Sequence, residues 1–129
     1  MAEHPNAVKI RTALDAVNDR DFATYMDIYG EDVVAHMAPP YGTIRGRSAF
    51  FDVMKQWDQF AGGTMHVDVE AIIADDEYAM VFCRGLADHG QKHQDLRFVW
   101  AGEVDGEGRF KEFWYLADDE PSHEDFWTE

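Results

Sequence analysis

Met65-His66-Val67-Asp68-Val69-Glu70-Ala71-Ile72 alternates side chains that avoid water with side chains that seek it. A period of two is the mark of a β-strand with one wet face. More runs of this kind follow without a helical interruption. Asp75-Asp76 turns the chain into a long strand from Glu77 to Asp88, with Met80, Phe82, Arg84 and Leu86 on one face. His89-Gly90-Gln91 turns it again into Lys92 to Asp105, which places Leu96, Phe98 and Trp100 together. Asp105-Gly106-Glu107-Gly108 is a hairpin signal. It leads into Arg109 to Ala117, with Phe113 and Tyr115 on one face and Glu112, Trp114 and Leu116 on the other. Consecutive hairpins imply an antiparallel sheet. Glu120 to Trp127, entered through Pro121, reads as a short terminal helix.

Upstream of this meander the period is helical. Pro5 suits the first turn of a helix, where its missing N–H costs little. Ile10, Ala13, Leu14 and Val17 recur at i, i+3, i+4 and i+7. Asp21 is a good N-cap for a second stripe of Phe22, Tyr25, Met26 and Tyr29, which Gly30 would end in the left-handed conformation. Asp32 to Met37 reads as a short strand, and Ala38-Pro39-Pro40-Tyr41-Gly42 as a loop. Ile44-Arg45-Gly46-Arg47 leads to Ser48, a second N-cap. The third helix buries Phe50, Val53, Met54 and Trp57 and stops at Gly62-Gly63.

The chain has 129 residues, 46% of them hydrophobic and 14% aromatic. That is enough for one domain with a real core, spanning residues 1–129. The formal net charge of −15 comes from 26 acidic and 11 basic residues. Such a field repels nucleic acid and anionic membranes, so neither is an expected partner. A solvated acidic surface and adaptation to a salty cytosol both account for it. MAEHPNAVKI has no apolar run and carries Glu3, so a signal peptide is not expected. No stretch approaches the roughly 20 apolar residues of a membrane span, and a cytoplasmic location is the default. Cys83 is the lone cysteine, which excludes an intrachain disulfide and any multi-cysteine metal site. No phosphate-binding glycine loop is present, and no cofactor is expected.

Helices first and a meander afterwards imply an α+β fold with the helices on one face of the sheet. Long strands curl, and a curled sheet closed by helices leaves a concave cavity. Its expected lining is Tyr25, Tyr29, Met37, Met54, Trp57, Phe82, Phe98, Trp100, Phe113 and Tyr115. Plain core packing would use the same side chains.

In this order the elements resemble the nuclear transport factor 2-like superfamily and, within it, the SnoaL-like domains. The residues that carry the likeness are Asp21-Phe22, Tyr29-Gly30-Glu31-Asp32-Val33 and Gly42 to Gly46. To these add Asp105-Gly106-Glu107-Gly108-Arg109-Phe110 ahead of Glu112-Phe113-Trp114, and the tail with Asp118-Asp119 and Asp125-Phe126-Trp127. The resemblance implies a cone-shaped, cystatin-like roll with N-terminal helices on a curved antiparallel sheet. It implies a deep pocket for a small molecule and a homodimer formed through the sheet. Its members include isomerases, cyclases, dehydratases and non-catalytic binders, so fold does not settle function.

Steroid isomerases of the superfamily use a carboxylate base after the first strand and a protonated Asp on a later one. Aligned on Ile44-Arg45-Gly46, those positions fall on Met37 and Trp100, and an indole N–H donates but cannot titrate. His36, beside Met37, is the substitute base, since an imidazole shuttles protons near neutral pH. An outward-facing strand-end histidine is the plain alternative. Arg84 would steady a substrate carboxylate or enolate, or else pair with Asp95 or Glu112 across the sheet. Arg97 is expected on the opposite face. His89 and His93 bracket a turn with Asp95 beyond, and Asp88-His89-Gly90 resembles the His-Gly region of polyketide cyclases. Their spacing is a weak metal signal, and no metal is expected. The alternating His66, Asp68, Glu70 face is too polar for a large dry interface on that strand.

Overall fold

In a computed structural model, which describes residues 3–128, three helices lie on the concave face of a six-stranded sheet. The helices are α1 (Pro5–Asn18), α2 (Phe22–Met26) and α3 (Arg47–Phe60). The strands are β1 (Tyr29–Met37), β2 (Gly42–Arg45), β3 (His66–Ala74), β4 (Tyr78–His89), β5 (Lys92–Val104) and β6 (Phe110–Ala117). A last helix, α4 (Glu120–Phe126), follows. The sheet order is β2-β1-β6-β5-β4-β3.

The meander folds as its period of two requires. β3, β4, β5 and β6 pair antiparallel in succession. The sheet is nevertheless mixed, because β1 lies parallel to β6. The hairpin argument reaches only adjacent strands. β1 is separated from β6 by α3 and four strands, and a connection of that length permits a parallel pair.

Helix boundaries follow the caps. The Pro5 start and the buried stripe Ile10, Ala13, Leu14, Val17 are as expected. The Asp21 carboxylate accepts from Thr24 N at 3.2 Å, and its hydrogen bonds with Thr24 hold it below the usual carboxylate range. α2 is shorter than its apolar stripe, however. Tyr29 and Gly30 already belong to β1, and Gly30 is not left-handed. A Cβ on Gly30 would come within 3.3 Å of the Phe110 carbonyl, so the glycine serves close strand approach. Gly42 to Arg45 pairs with β1 as a strand rather than a lead-in loop. Gly46, not Ser48, is the N-cap of α3, because Gly46 N donates to Val33 O at 2.7 Å as the chain leaves the sheet. Gly62 and Gly63 end α3 with φ of 60° and 77°.

The core sits between α1, α3 and the concave sheet face, around Tyr29, Phe50, Phe110 and Phe113, each 1% exposed or less. The Tyr29 ring lies 4.9 Å from Phe50 and 5.3 Å from Phe113. The inward face of β4 is small: Ala79, Val81, Cys83, Gly85 and Ala87. Its large residues point the other way, so Phe82 and Arg84 stand on the outer face. The inward faces of β5 and β6 are large, with Phe98, Trp100, Val104, Phe113 and Tyr115. The fit is tight where the two kinds meet. A Cβ on Gly85 would lie 2.5 Å from the Phe98 ring.

Gly102 marks the tightest backbone approach, since a Cβ there would run into the Glu112 carbonyl and Phe113 Cα. Gly102→Ala removes unfolded-state entropy worth about 0.4–1 kcal/mol. The clash with fixed backbone costs more, about 1–3 kcal/mol. Net destabilisation is therefore expected as a lower urea midpoint with unchanged slope.

Candidate functional site

A pocket opens where the end of α1, α2, α3, the C-terminal tail and the strands β3 to β6 converge. Its inner wall is aromatic: Tyr25, Trp57, Phe98, Trp100, Tyr115 and Trp127, with Met54. Phe98 stacks on Tyr115 at 4.8 Å, and Trp100 leans on Tyr115 at 4.9 Å. Trp57 closes the side from α3, 5.7 Å from Trp127. The mouth is formed by Asn18, Arg20, Met65, His66, Val67 and Leu86. Asn18 Nδ2 donates to Val67 O, and Val67 N donates to Asn18 Oδ1, both at 2.8 Å. Arg20, held at φ 64°, donates to the Gly63 carbonyl and sits 3.5 Å from Asp58.

Six of the expected lining residues meet here: Tyr25, Met54, Trp57, Phe98, Trp100 and Tyr115. Tyr29, Met37 and Phe113 are buried but belong to the packed core below the pocket. Phe82, His36 and Arg84 are corrected to the outer face of the sheet. The reason is strand parity. Met80, Phe82 and Arg84 share a face, but the other face of β4, with its small side chains, is the buried one. On β1 the buried positions are Val33, Ala35 and Met37, so His36 points away. His36 Nε2 meets Glu112 Oε2 at 2.7 Å, and its ring stacks on Trp114 at 4.9 Å. Arg84 is held by Asp95 at 2.8 and 3.3 Å, the pairing alternative named above. Arg97 faces outward to Glu70 at 3.2 Å. The two groups expected to share a cavity do not share one.

The turn histidines also go to separate partners. His89 Nδ1–H donates to Phe60 O at 2.7 Å and stacks on the Phe60 ring at 3.7 Å. His93 pairs with Asp88 at 2.5 Å, and Asp95 is taken by Arg84. Among the described residues no group of three or more His, Cys, Asp or Glu side chains is placed to hold a metal ion. Cys83 is buried, and burial pushes its thiol up to about 12, so it is no nucleophile.

The chemistry of the pocket is that of donors. Among the described residues no carboxylate lines it, and its imidazole, His66, sits at the mouth against Asp68 at 2.8 Å. Burial raises the Tyr25 and Tyr115 phenols well above 10.0, so both keep their protons. The Tyr25 and Tyr29 hydroxyls bond each other at 2.6 Å. The Trp100 N–H is buried without an acceptor. The Trp57 N–H reaches no acceptor in bonding geometry either. It lies on the side of the Tyr41 hydroxyl, whose pKa it lowers against the larger effect of burial, which pushes it up to about 12.

Three polar residues of this region were not among the expected ones. Gln94 is buried and accepts from Trp127 Nε1 at 2.9 Å. It shares strand parity with Leu96, Phe98 and Trp100, which was its signal. His123 is fully buried beside Phe98 and Tyr115. It falls at i with Phe126 and Trp127 at i+3 and i+4, a stripe that a short helix buries. Asn18 gave no signal, because its role depends on the distant Val67 backbone.

A SnoaL-like domain pattern matches residues 10–113. The chain belongs to the SnoaL-like domain family. Its fold recurs in Bal32a from a soil-derived mobile gene cassette, at a TM-score of 0.86 and 24% identity, over 95% of this chain and 96% of that one. A cystatin-like-fold protein of unknown function from Xanthomonas campestris superposes with a TM-score of 0.86 at 16% identity, over 98% and 100%. TerC, co-crystallised with polyporic acid, gives 0.79 at 18% identity, over 97% and 100%. At these identities the likeness establishes the fold alone. No curated protein sequence matches the chain significantly.

The tyrosine pair gives a direct check on the pocket floor. Tyr25→Phe leaves the buried Tyr29 hydroxyl without its partner, a loss of about 1–3 kcal/mol. The double change Tyr25→Phe with Tyr29→Phe is expected to cost less than the two single changes added together, measured by urea unfolding of all four proteins.

Proposed function

We propose that this SnoaL-like chain binds a small, largely apolar, planar molecule in the aromatic pocket. The reading rests on the Trp100 N–H, a buried donor without an acceptor in a wall of rings. Leaving such a donor unpaired costs free energy, and a ligand carbonyl or similar oxygen would relieve it. Flat rings suit the faces of Trp57, Phe98 and Tyr115. Co-crystallisation of TerC with polyporic acid fits a pocket of this kind. Isomerase, cyclase or dehydratase chemistry by proton transfer is the second reading. A pocket lined by protonated phenols and indoles, with no carboxylate among the described residues, favours binding over it.

We also propose a homodimer through the outer face of the sheet. Ile73, Met80, Ala101 and Trp114 are cross-strand neighbours in one row, and Ala71, Phe82, Val99 and Leu116 in the next. Trp114 is 43% and Leu116 50% exposed, a contiguous apolar patch that a monomer seldom leaves open. Its rim is already paired: Arg84 with Asp95, Arg97 with Glu70, His36 with Glu112. A second copy of the same face meets this pattern of apolar centre and polar rim. The polar half of β3 lies beyond this patch, consistent with the sequence reading of His66, Asp68 and Glu70.

A panel of aromatic ketones and quinones should quench the tryptophan fluorescence saturably. Trp100→Phe should weaken the best of them about tenfold, the equivalent of one hydrogen bond. A panel without a single saturable binder, or unaltered affinity in the variant, would sink the binding reading. Separately, Leu116→Glu should halve the mass seen by light scattering while leaving the far-ultraviolet circular dichroism unchanged. A wild-type protein that already runs as a monomer would refute the dimer.

A further inference from the structure

Behind its mouth the pocket has a volume of about 50 Å³, which holds only a few water molecules. Small-molecule sites run to roughly 300–1,000 Å³. Part of the wall must therefore move before the molecule proposed above can enter. At the tail end of that wall stands Trp127, carried by α4. α4 packs chiefly on β5 and β6, whereas α1 and α3 bury full apolar stripes against the core.

Three polar attachments fix this segment. His123 Nδ1 meets the Pro39 carbonyl at 2.5 Å. Trp127 Nε1–H donates to Gln94 at 2.9 Å. Lys92 Nζ donates to the carbonyls of Asp125 and Thr128 at 2.7 and 2.6 Å.

The first attachment has an unusual chemistry. A carbonyl only accepts, so the proton of the neutral ring sits on Nδ1. Nε2 then carries a lone pair, buried and without a partner among the described residues. Around it stand the rings of Tyr41, Phe98, Tyr115 and Trp127, with centroids 5.7–6.4 Å away. The titratable groups that face it from other elements are the Tyr41 and Tyr115 phenols, both held protonated by burial. Lys92 of β5, at the far end of α4, is a cation. Burial holds His123 below the ordinary 6.5, outweighing the hydrogen bond to the Pro39 carbonyl and Glu120 of its own helix, which both favour the charged ring. A protonated ring would thus present a second N–H to a cage with no acceptor for it.

We propose that α4 and Trp127 form a pH-gated strap over the pocket: His123 docks only as the neutral imidazole, and its protonation releases the strap and opens the pocket beside Trp57 and Tyr115. The proposal rests on the reading of the pocket as a ligand site. The sign follows from linkage. The released state binds the proton more readily than the docked one. Docking is therefore strongest above the ordinary histidine value and weakens as pH falls from there toward the lowered value, by up to about tenfold per pH unit.

The test compares wild type with His123→Phe, whose ring fills the cage and cannot be protonated. Hydrogen exchange, corrected for its intrinsic pH dependence, is followed in α4 and in β5 from about pH 7.5 to about pH 5.5. In wild type, α4 protection should fall by up to about tenfold per unit relative to β5, and uptake of the neutral dye N-phenyl-1-naphthylamine should rise with it. In His123→Phe both should stay flat. Constant α4 protection in wild type, or the same response in the variant, overturns the strap. Imidazole nitrogen NMR of the wild type decides the matter even if the variant does not fold. A His123 midpoint under 6.5 that moves together with α4 amide shifts supports the strap, and a midpoint at or above 6.5 overturns it. Strap release without dye uptake would instead overturn the pocket as a ligand site, so the two failures are distinguishable.

Discussion

The inward face of β4 carries only Ala79, Val81, Cys83, Gly85 and Ala87, and everything above it is arranged around that choice. Beside it, β5 and β6 supply Phe98, Trp100, Phe113 and Tyr115. Small residues along one strand and large ones along its neighbours let rings lie over the sheet instead of standing off it. Phe98 occupies the space a side chain at position 85 would need. Tyr115 then stacks on Phe98 and supports Trp100 and Trp57. The pocket is the room these rings leave between themselves and the ends of α1 and α3. Interiors pack close to crystal density, so an unfilled indole donor in such a wall is a feature to explain rather than slack.

The fold was legible because its signals are local and repeated. Four runs of period two, separated by turn residues, define the meander, and three apolar stripes define the helices. The parallel pairing of β1 with β6 was not legible, since it joins segments far apart and no turn announces it. Parity was the second limit. Alternation says which residues share a face but not which face is buried. For β5 and β6 the large apolar residues settle it correctly. For β4 the same rule misleads, because Met80 and Phe82 are more apolar than Ala79 and Gly85 yet lie outside. The choice depends on Phe98 of the neighbouring strand, and on the outward patch with Trp114 and Leu116. Arg84 fails as a pocket residue for this reason, and His36 because Val33, Ala35 and Met37 take the inward face of β1.

The site was therefore half visible. Apolar spacing named five of its six wall aromatics, all but Trp127, and added Tyr29, Phe82 and Phe113, which lie elsewhere. Its polar fittings could not be named, apart from Trp100. Gln94 and His123 are defined by partners remote in sequence, Trp127 and Pro39. A buried polar side chain is satisfied by tertiary structure, and a single sequence does not list its partners. The substituted superfamily positions are informative here. At the two positions that the resemblance aligns with catalytic carboxylates stand Met37, in the core, and Trp100, an uncharged donor, and neither side chain can transfer a proton.

The pair of hydrogen bonds between the Asn18 amide and the Val67 backbone has a consequence outside the pocket. β3 is an edge strand, and exposed edges invite a neighbouring molecule to add another strand. Asn18 offers Val67 one donor and one acceptor, much as a paired strand residue would. α1 lies along the same strand. The start of this edge is thus masked by the chain's own first helix. Stray β-association of this long-stranded sheet is blocked there by a single carboxamide.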